Sequence, residues 1–310
     1  MRVLFWGTPD FATPPLRALI GEGFDVVGVV TQPDRAVGRS RSKLEPPPTK
    51  LIALEESIPV LQPEKPRGDE FVAQMQALHA DISVVVAYGH ILPTDVIILP
   101  RLGTINIHAS LLPKLRGAAP IQAAIRDGHA ETGITIMRMV KALDAGPSIV
   151  QARTPIPDDE TYGELQLRLA EMGAMALIEA LALIELGRAS EVPQNDAEAT
   201  YAAKIDRAMT RVDWSADGRT VARIIRAYDP RPGALSEAPS GEVKLFGARA
   251  TGDGSGGAPG TVVAIDTDGM TVACGSGAVQ ISSAHPAGKR RIAPEEWARG
   301  RGISLGERLF

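Results

Sequence analysis

The sequence contains one cysteine, few aromatic residues and no long apolar run in its 310 residues. The lone thiol of Cys274 excludes an internal disulfide and a thiolate cluster for structural zinc, which favours a reducing compartment. No apolar stretch approaches the roughly 20 residues that span a bilayer, and the apolar segment Val3–Trp6 is too short for a secretory signal. We therefore expect a cytoplasmic protein with no membrane segment.

Histidine is also scarce, and its spacing gives no metal motif. The five histidines are His79, His90, His108, His129 and His285. None of them forms an HxxxH or HExxH pair, the spacing that places two imidazoles on one face of a helix. We expect no metal site.

The charge is uneven along the chain, although the net charge is only −4. From Ile205 to Phe310 there are 14 Lys and Arg against 12 Asp and Glu, whereas the preceding residues carry 19 against 25. An acidic chain of this kind does not coat nucleic acid generally. The basic surplus lies in the last third of the chain.

The first half alternates short apolar runs with amphipathic segments. RVLFW, DVVGVVT, ISVVVAY and GTINIH are typical of buried strands, and residues 15–20, 49–56 and 69–80 have helical spacing. The alternation predicts an α/β domain with a mostly parallel sheet, whose ligands bind beyond the carboxyl ends of the strands. The turn Gly7–Asp10 after the first strand lacks the GxGxxG pattern, which disfavours nicotinamide chemistry.

The last hundred residues have a different character. EVKLFGAR, GTVVAID, GMTVAC and AVQISSA are short predicted strands separated by Gly-rich turns, and they predict a small antiparallel barrel, for which the OB type is one form. A helix is predicted at 161–187, and the polar segment Ser190–Ala203 after it is typical of an interdomain linker. We therefore place the domains at 1–189 and 208–310, with a linker at 190–207.

A long loop from Gln32 to Thr49 carries basic residues among Gly, Ser and Pro, a composition that cannot pack into a core. Loops of this kind are either solvated insertions or functional segments, and the residues alone leave both alternatives open. A polyanionic partner would favour the second alternative.

The stretch Asn106–Ile121, NIHASLLPKLRGAAPI, holds the densest set of candidate site residues. Asn106 and His108 are two residues apart in a predicted strand, so both side chains point to one face at its carboxyl end. A purely structural pair is the alternative. A rigid SLLP turn and an Arg-Gly pair follow at once, and this convergence favours a site.

Asp144 lies in a Gly/Pro loop farther along the chain, where an acid is most often a turn former. If the fold brings it to His108, the carboxylate would favour the imidazolium and fix its orientation. Asn106 can donate a hydrogen bond to a carbonyl oxygen while His108 stabilises an oxyanion, which suits acyl transfer between nitrogens. Ser110 lacks a GxSxG setting, so a covalent acyl-enzyme is the weaker alternative.

The N-x-H pair, SLLPKLRGAAPI and LDAG together resemble the folate-dependent formyltransferases. GTPDFA, VTQPDRAVGR, VVAYGHILP, ETGITIM, RVDWS, IIRAYDPRPGA and PAGKRRI extend the likeness from end to end, toward the branch that acts on methionyl-tRNA. The resemblance implies a Rossmann-like formyltransferase domain followed by a small OB-like β-barrel. It also implies transfer of the formyl group of 10-formyltetrahydrofolate to the α-amine of initiator Met-tRNA. We expect a monomer.

The resemblance also implies the site residues, position by position. The catalytic residues would be Asn106, His108 and Asp144. The folate-contacting residues would be Ser110, Leu111, Leu112, Pro113, Tyr88, Gly89, Ile91 and Leu92. The tRNA-binding residues would be Arg39, Arg41, Lys43, Lys204, Lys289 and Arg290. Contacts of such cations with phosphates position a nucleic acid without reading its sequence.

Three departures from the family pattern lie outside the catalytic residues. The loop has GRSRSKL where GRGKKL is common, Arg231 stands where a tryptophan is usual, and LDAGPSI lacks the second acid of LDTGDM. The competing hypotheses are a formyltransferase acting on a sugar nucleotide or another small amine, a formyltetrahydrofolate hydrolase, and a noncatalytic RNA-binding protein. The segments RVDWS and PAGKRRI argue against the first, and the intact catalytic residues argue against the last.

Overall fold

The structure is a computed structural model that describes residues 1–37, 43–252 and 257–310. Its strands are β1 (Arg2–Gly7), β2 (Asp25–Val30), β3 (Arg35–Val37), β4 (Lys43–Glu45), β5 (Val60–Leu61), β6 (Ile82–Val86), β7 (Thr104–His108), β8 (Arg116–Gly117), β9 (Glu131–Arg138), β10 (Ser148–Pro155), β11 (Tyr201–Ala202), β12 (Ala234–Ala238), β13 (Gly241–Thr251), β14 (Val262–Asp266), β15 (Gly269–Ala273) and β16 (Ala278–Pro286). Its helices are α1 (Thr13–Gly21), α2 (Pro48–Glu55), α3 (Asp69–Ala77), α4 (Thr94–Ile97), α5 (Pro120–Arg126), α6 (Tyr162–Glu185), α7 (Gly218–Ala227) and α8 (Pro294–Arg299).

The chain divides into two compact units that interleave along the sequence. The first unit contains Met1–Gly117, Thr132–Thr154 and Gln166–Tyr201, and the second contains Ala118–Glu131, Pro155–Leu165 and Ala202–Phe310. The boundaries expected from the sequence, at 1–189, 190–207 and 208–310, are contiguous and stay a prediction.

The first unit is built on a seven-stranded sheet in the order β10-β9-β7-β6-β1-β2-β5. The strands β5, β2, β1, β6 and β7 run parallel, and β9 runs antiparallel to β7. Every residue of β6 is buried, as is every residue of β1 after Arg2. Strands covered on both faces need such continuous apolar sequences. The predicted α/β fold with a mostly parallel sheet is confirmed.

A polar network joins the segments that follow β1, β2 and β6. Thr8 Oγ1 and Gln32 Nε2 each donate to the Tyr88 backbone oxygen at 3.1 Å. Thr49 Oγ1 donates to the Gly7 backbone oxygen at 2.8 Å. These bonds fix the carboxyl-terminal edge of the sheet, which is the edge where β7 ends in the candidate site residues.

Helix α6 is the longest of the helices that the structure describes, with 24 residues. Leu165, Leu169, Leu177 and Leu181 recur at helical spacing and are fully buried, whereas Met175 is exposed. The helix is therefore amphipathic, as the sequence predicts. No helix in the three described ranges is both long enough and apolar enough to cross a membrane.

The second unit contains a five-stranded antiparallel sheet in the order β12-β13-β16-β15-β14. Helix α7 packs on β13, and α5 packs on α7. The large side chains of Trp214, Tyr228 and Trp297 are buried in the core of this unit. The predicted small β domain near the end of the chain is confirmed, and β12, α5 and α8 are elements that the sequence analysis did not predict.

Helix α7 begins where the sequence supplies a cap. The Asp217 carboxylate accepts hydrogen bonds from the backbone N–H groups of Arg219 and Thr220, both at 3.0 Å. The Thr220 hydroxyl and these N–H groups hold the pKa of Asp217 below its ordinary value. Such a cap satisfies donors that the first turn of a helix leaves unpaired.

Candidate active site

Asn106 and His108 lie in the last three positions of β7. Asn106 is opposite Val85 of β6 and Met137 of β9, and His108 is opposite Thr135 of β9. His108 is buried and Asn106 is half-buried. Among the described residues the Asn106 side chain has no hydrogen-bond partner. Its amide is therefore available to a ligand at the end of the strand.

Both ring nitrogens of His108 face oxygen atoms. Nε2 lies 3.0 Å from the Leu115 backbone oxygen, and Nδ1 lies 3.7 Å from Oδ2 of Asp144. Because a carbonyl oxygen only accepts, we assign the ring proton of this contact to Nε2. Nδ1 is then the nitrogen that faces the carboxylate. The fold thus brings His108 and Asp144 together across the intervening chain.

Asp144 is held on two sides. Its Oδ2 accepts a hydrogen bond from the backbone N–H of Gly117 at 2.8 Å. Its own backbone is in the left-handed region, with φ of 48°. Few non-glycine residues adopt this conformation, and Asp is one that tolerates it. The carboxylate, only 12% exposed, therefore has a fixed orientation beside the imidazole.

A residue of the predicted linker supports the Asp144 loop. Gln194 Nε2 donates to the backbone oxygens of Asp144 at 2.8 Å and of Gly146 at 2.7 Å. Gln194 Oε1 accepts from Arg116 Nη2 at 2.8 Å and from Nε at 3.0 Å. The sequence analysis missed this residue because the contact joins Gln194 to a loop 50 residues away, with no local pattern to mark it.

Thr135 and Gln151 hold the SLLP turn. Thr135 Oγ1 donates to the Ser110 backbone oxygen at 2.7 Å and accepts from the Leu112 N–H at 3.1 Å. Gln151 Nε2 donates to the Leu112 backbone oxygen at 2.8 Å. Ser110 and Leu112 are buried, whereas the other two residues of the turn are half-buried. A ligand would therefore meet the turn through Leu111 and Pro113.

The segment Gly89–Leu92 follows β6 with an unpaired backbone. Its N–H groups make no hydrogen bond to any residue that the structure describes. Tyr88 and Leu92 are buried, whereas Ile91 is 85% exposed. Burial raises the pKa of Tyr88 to about 12, so its phenol is neutral at ordinary pH. The unpaired backbone lies beyond the carboxyl end of a parallel strand, where a polar ligand can bind.

The base of the basic loop is ordered by an ion pair. Lys50 Nζ lies 2.8 Å from Asp34 Oδ1, and a hydrogen bond from Gln62 together with Lys50 holds the pKa of Asp34 below its ordinary value. Lys43 is exposed in β4, which pairs antiparallel with β3. The two other candidate tRNA-binding residues of this loop lie outside the described residues; they are Arg39 and Arg41.

The remaining candidate tRNA-binding residues are exposed. Lys204 and Lys289 make no ion pair within the described ranges. Arg290 pairs with Glu296 at 2.9 Å, where both side chains are well exposed. Across the same ranges, no three His, Cys or acidic side chains are grouped to hold a metal ion.

Two family models match most of the chain. The model described as formyl transferase matches residues 1–181, and the one described as formyl transferase, C-terminal domain, matches residues 204–302. A methionyl-tRNA formyltransferase of Marinobacter nauticus is 46% identical over 290 residues, which cover 94% of this chain and 93% of that protein. A methionyl-tRNA formyltransferase of Aromatoleum aromaticum is 46% identical over 310 residues, which cover 100% and 97%.

A solved structure shows the same fold at lower identity. HypX from Aquifex aeolicus, in complex with tetrahydrofolic acid, has a TM-score of 0.67 and 21% identity, over 100% of this chain and 51% of that chain. The two relatives, by contrast, match in sequence along nearly their whole length. By its sequence and by both family models, the chain belongs to the methionyl-tRNA formyltransferase family.

Proposed function

We propose that the protein transfers the formyl group of 10-formyltetrahydrofolate to the α-amino group of methionine on initiator Met-tRNA, and so serves translation initiation in the cytoplasm. The observation that carries the proposal is the proximity of His108 to Asp144. His108 lies two residues along β7 from Asn106, whose side-chain amide has no partner among the described residues. The names of the relatives support Met-tRNA as the acceptor. The tetrahydrofolic acid in the HypX structure supports a folate as the cosubstrate.

The reaction needs hydrogen-bond donors for one oxyanion. It does not need a side chain that becomes acylated. The amine nitrogen forms a bond to the formyl carbon, and the formyl oxygen becomes negatively charged in a tetrahedral intermediate. The bond from that carbon to the folate nitrogen then breaks, the folate nitrogen takes up a proton, and the amine loses one. Hydrogen-bond donors aimed at the developing negative charge lower the barrier to this step.

The site supplies two such donors. The Asn106 amide is one, and the protonated His108 ring is the other. Nε2 of His108 is committed to Leu115, so Nδ1 is the nitrogen that we assign to the formyl oxygen. The Asp144 carboxylate lies 3.7 Å from Nδ1. Its negative charge is therefore close to the ring, which carries a positive charge when both nitrogens donate.

The folate is assigned to the edge formed by two segments, Tyr88–Leu92 and Ser110–Pro113. The unpaired N–H groups of Gly89–Leu92 can bond the polar edge of a pterin. The exposed Ile91 and the half-buried Leu111 provide apolar contact area. The tRNA backbone is assigned to exposed cations on phosphates. These cations are Arg39, Arg41, Lys43, Lys204, Lys289 and Arg290.

A competition among acceptors tests this function. Purified protein and 10-formyltetrahydrofolate are incubated with Met-tRNA, free methionine or an amino-sugar nucleotide, and the formylated product is measured. We expect formyl-Met-tRNA as the main product. Faster formylation of the amino-sugar nucleotide would contradict the proposal, and so would release of formate without need for any amine.

A further inference from the structure

The loop that carries Asp144 is held by residues that do not face the reacting atoms. The Gly117 N–H binds the carboxylate, and Gln194 Nε2 binds the backbone oxygens of Asp144 and Gly146. Gln194 Oε1 accepts two hydrogen bonds from Arg116, the residue before Gly117. Residues 116–117 therefore hold Asp144 twice, once directly at the carboxylate and once through Gln194 at the backbone.

The amide of Gln194 has only one workable orientation. Its Oε1 faces the guanidinium of Arg116. Its Nε2 faces the backbone oxygens of Gly146 and Asp144, at 2.7 Å and 2.8 Å. A flipped amide would place its NH2 against the guanidinium and its oxygen against both carbonyls. Both backbone oxygens and Arg116 Nε would then lack partners. Gln194 must therefore supply a donor and an acceptor at the same time.

Arg116 is a rigid support for this contact. Its side chain is only 4% exposed, and its second partner is Asp196, 2.7 Å from Nη2 and 81% exposed. A buried guanidinium is costly unless its donors are satisfied, so its position is set by these partners. Gln194 thus connects a fixed buried cation to a loop whose central residue has a left-handed backbone.

We propose that Gln194 is a positioning residue for Asp144 in formyl transfer. This inference rests on the proposed function, because Gln194 acts only through the catalytic role that the proposed function gives to Asp144. The two hydrogen bonds from Gln194 Nε2 hold the loop in the conformation that directs the carboxylate to His108 Nδ1. Without them the two backbone oxygens lose their donor, the loop shifts, and the carboxylate moves away from the imidazole.

Gln194→Glu separates the two functions of the amide. The carboxylate still accepts both hydrogen bonds from Arg116, but it has no donor for the two backbone oxygens. We expect kcat for Met-tRNA to fall on the order of 100-fold, the cost of misplacing a catalytic group by about 1 Å. We expect KM for either substrate to change by less than about twofold, since Gln194 contacts neither.

A matched control changes the next amide along the chain. Asn195 is exposed, and its Oδ1 accepts the Ala197 N–H at 3.2 Å, a bond that Asp can also accept. Its Nδ2 donates to the exposed Glu198 at 2.9 Å, a surface hydrogen bond that Asp loses. Asn195→Asp therefore adds the same charge without touching the Asp144 loop, and it should keep wild-type kcat. In an Asp144→Asn background, Gln194→Glu should cause no further loss, because both changes act on the same group.

The outcomes separate the inference from the function on which it rests. Wild-type protein that fails to formylate Met-tRNA would refute the proposed function. Active wild-type protein with an unchanged kcat in folded Gln194→Glu would instead refute the positioning role. If thermal unfolding shows that Gln194→Glu does not fold, Gln194→Met replaces it, with the same fall expected and the same unchanged kcat as the refuting result. The positioning role would also be refuted if the double variant lost kcat by the full product of the two single-variant decreases.

Discussion

His108 has an oxygen atom beside each ring nitrogen, and its hydrogen bond to Leu115 sets the orientation of the ring. Leu115 fixes Nε2, and the Asp144 carboxylate lies 3.7 Å from Nδ1. His108→Ala removes the donor assigned to the formyl oxygen, so we predict a fall in kcat of at least about 100-fold. Steady-state kinetics of Met-tRNA formylation measure this fall in kcat.

A second histidine provides the control for this substitution. His79 is exposed and has φ of 47°, a backbone conformation that asparagine tolerates. His79→Asn should therefore keep the wild-type rate and the wild-type unfolding temperature. Turnover of His108→Ala at close to the wild-type rate would show that the imidazole is not the oxyanion donor.

Cys274 is a buried thiol of the second unit with no part in the proposed chemistry. Burial, with a smaller effect of the nearby Asp217 charge, raises the pKa of Cys274 from 9.0 to about 11. At pH 8 we therefore predict very slow reaction with Ellman's reagent in the native protein and immediate reaction in denaturant. Equal rates in the two states would contradict the assigned burial.

The same thiol affects stability at alkaline pH. The folded state keeps the proton to a higher pH than the unfolded state, so the stabilisation is complete below pH 9 and is lost as the pH rises toward 11. The free energy of unfolding should therefore fall more steeply over this range in the wild type than in Cys274→Ala. Urea unfolding at several pH values measures the difference.

Strand β9 supports the SLLP turn through one hydroxyl. Thr135→Val keeps the shape of the side chain but leaves the Ser110 oxygen and the Leu112 N–H without this partner. We predict a rise in KM for 10-formyltetrahydrofolate on the order of 10-fold, and a loss of about 1–3 kcal/mol in the free energy of unfolding. Formylation kinetics and urea unfolding measure the two effects.

The same strand offers a matched control for this change. Thr132 is also buried in β9, but its hydroxyl has no hydrogen-bond partner among the described residues. Thr132→Val removes a buried unpaired group, so it should leave KM unchanged and stability equal or higher. An equal rise in KM in both variants would show that packing, and not the hydrogen bonds, holds the turn.

The elements that the sequence predicted correctly are those with a strong local pattern. The continuous apolar runs of β1, β2, β6 and β7 mark parallel strands buried on both faces. β10 has no such pattern, because none of its residues is fully buried. Helix α5 has seven residues and begins at Pro120, which leaves too few turns for its period to be detected. Burial and length thus decide which elements could be predicted.

The candidate site residues also divide into those that a local sequence pattern marks and those that it does not. The period of two in a strand places Asn106 and His108 on one face, so their pairing could be predicted from spacing alone. The approach of Asp144 to His108 needed the whole sheet, and only the family resemblance indicated it. Gln194, Thr135 and their hydrogen bonds join distant segments, which no window of sequence reveals.

The interleaving of the two units limits how the C-terminal part can be tested. The second unit includes Ala118–Glu131 and Pro155–Leu165 as well as residues from Ala202 onward. Helix α5, from the first of these segments, packs on α7. Deletion of 208–310 would therefore expose α5. A loss of activity could then come either from instability or from lost tRNA binding. Substitution of single exposed cations in the full chain avoids this problem.

Lys289 is suited to such a test, because it is exposed and makes no ion pair within the described ranges. A Lys on a phosphate releases about one counterion when it binds, so Lys289→Gln should reduce the slope of log affinity against log salt by about one. KM for Met-tRNA should rise, while KM for the folate should not change. Lys65→Gln removes an exposed lysine of the first unit and should alter neither value. An unchanged salt slope in Lys289→Gln would exclude Lys289 from the tRNA-binding surface.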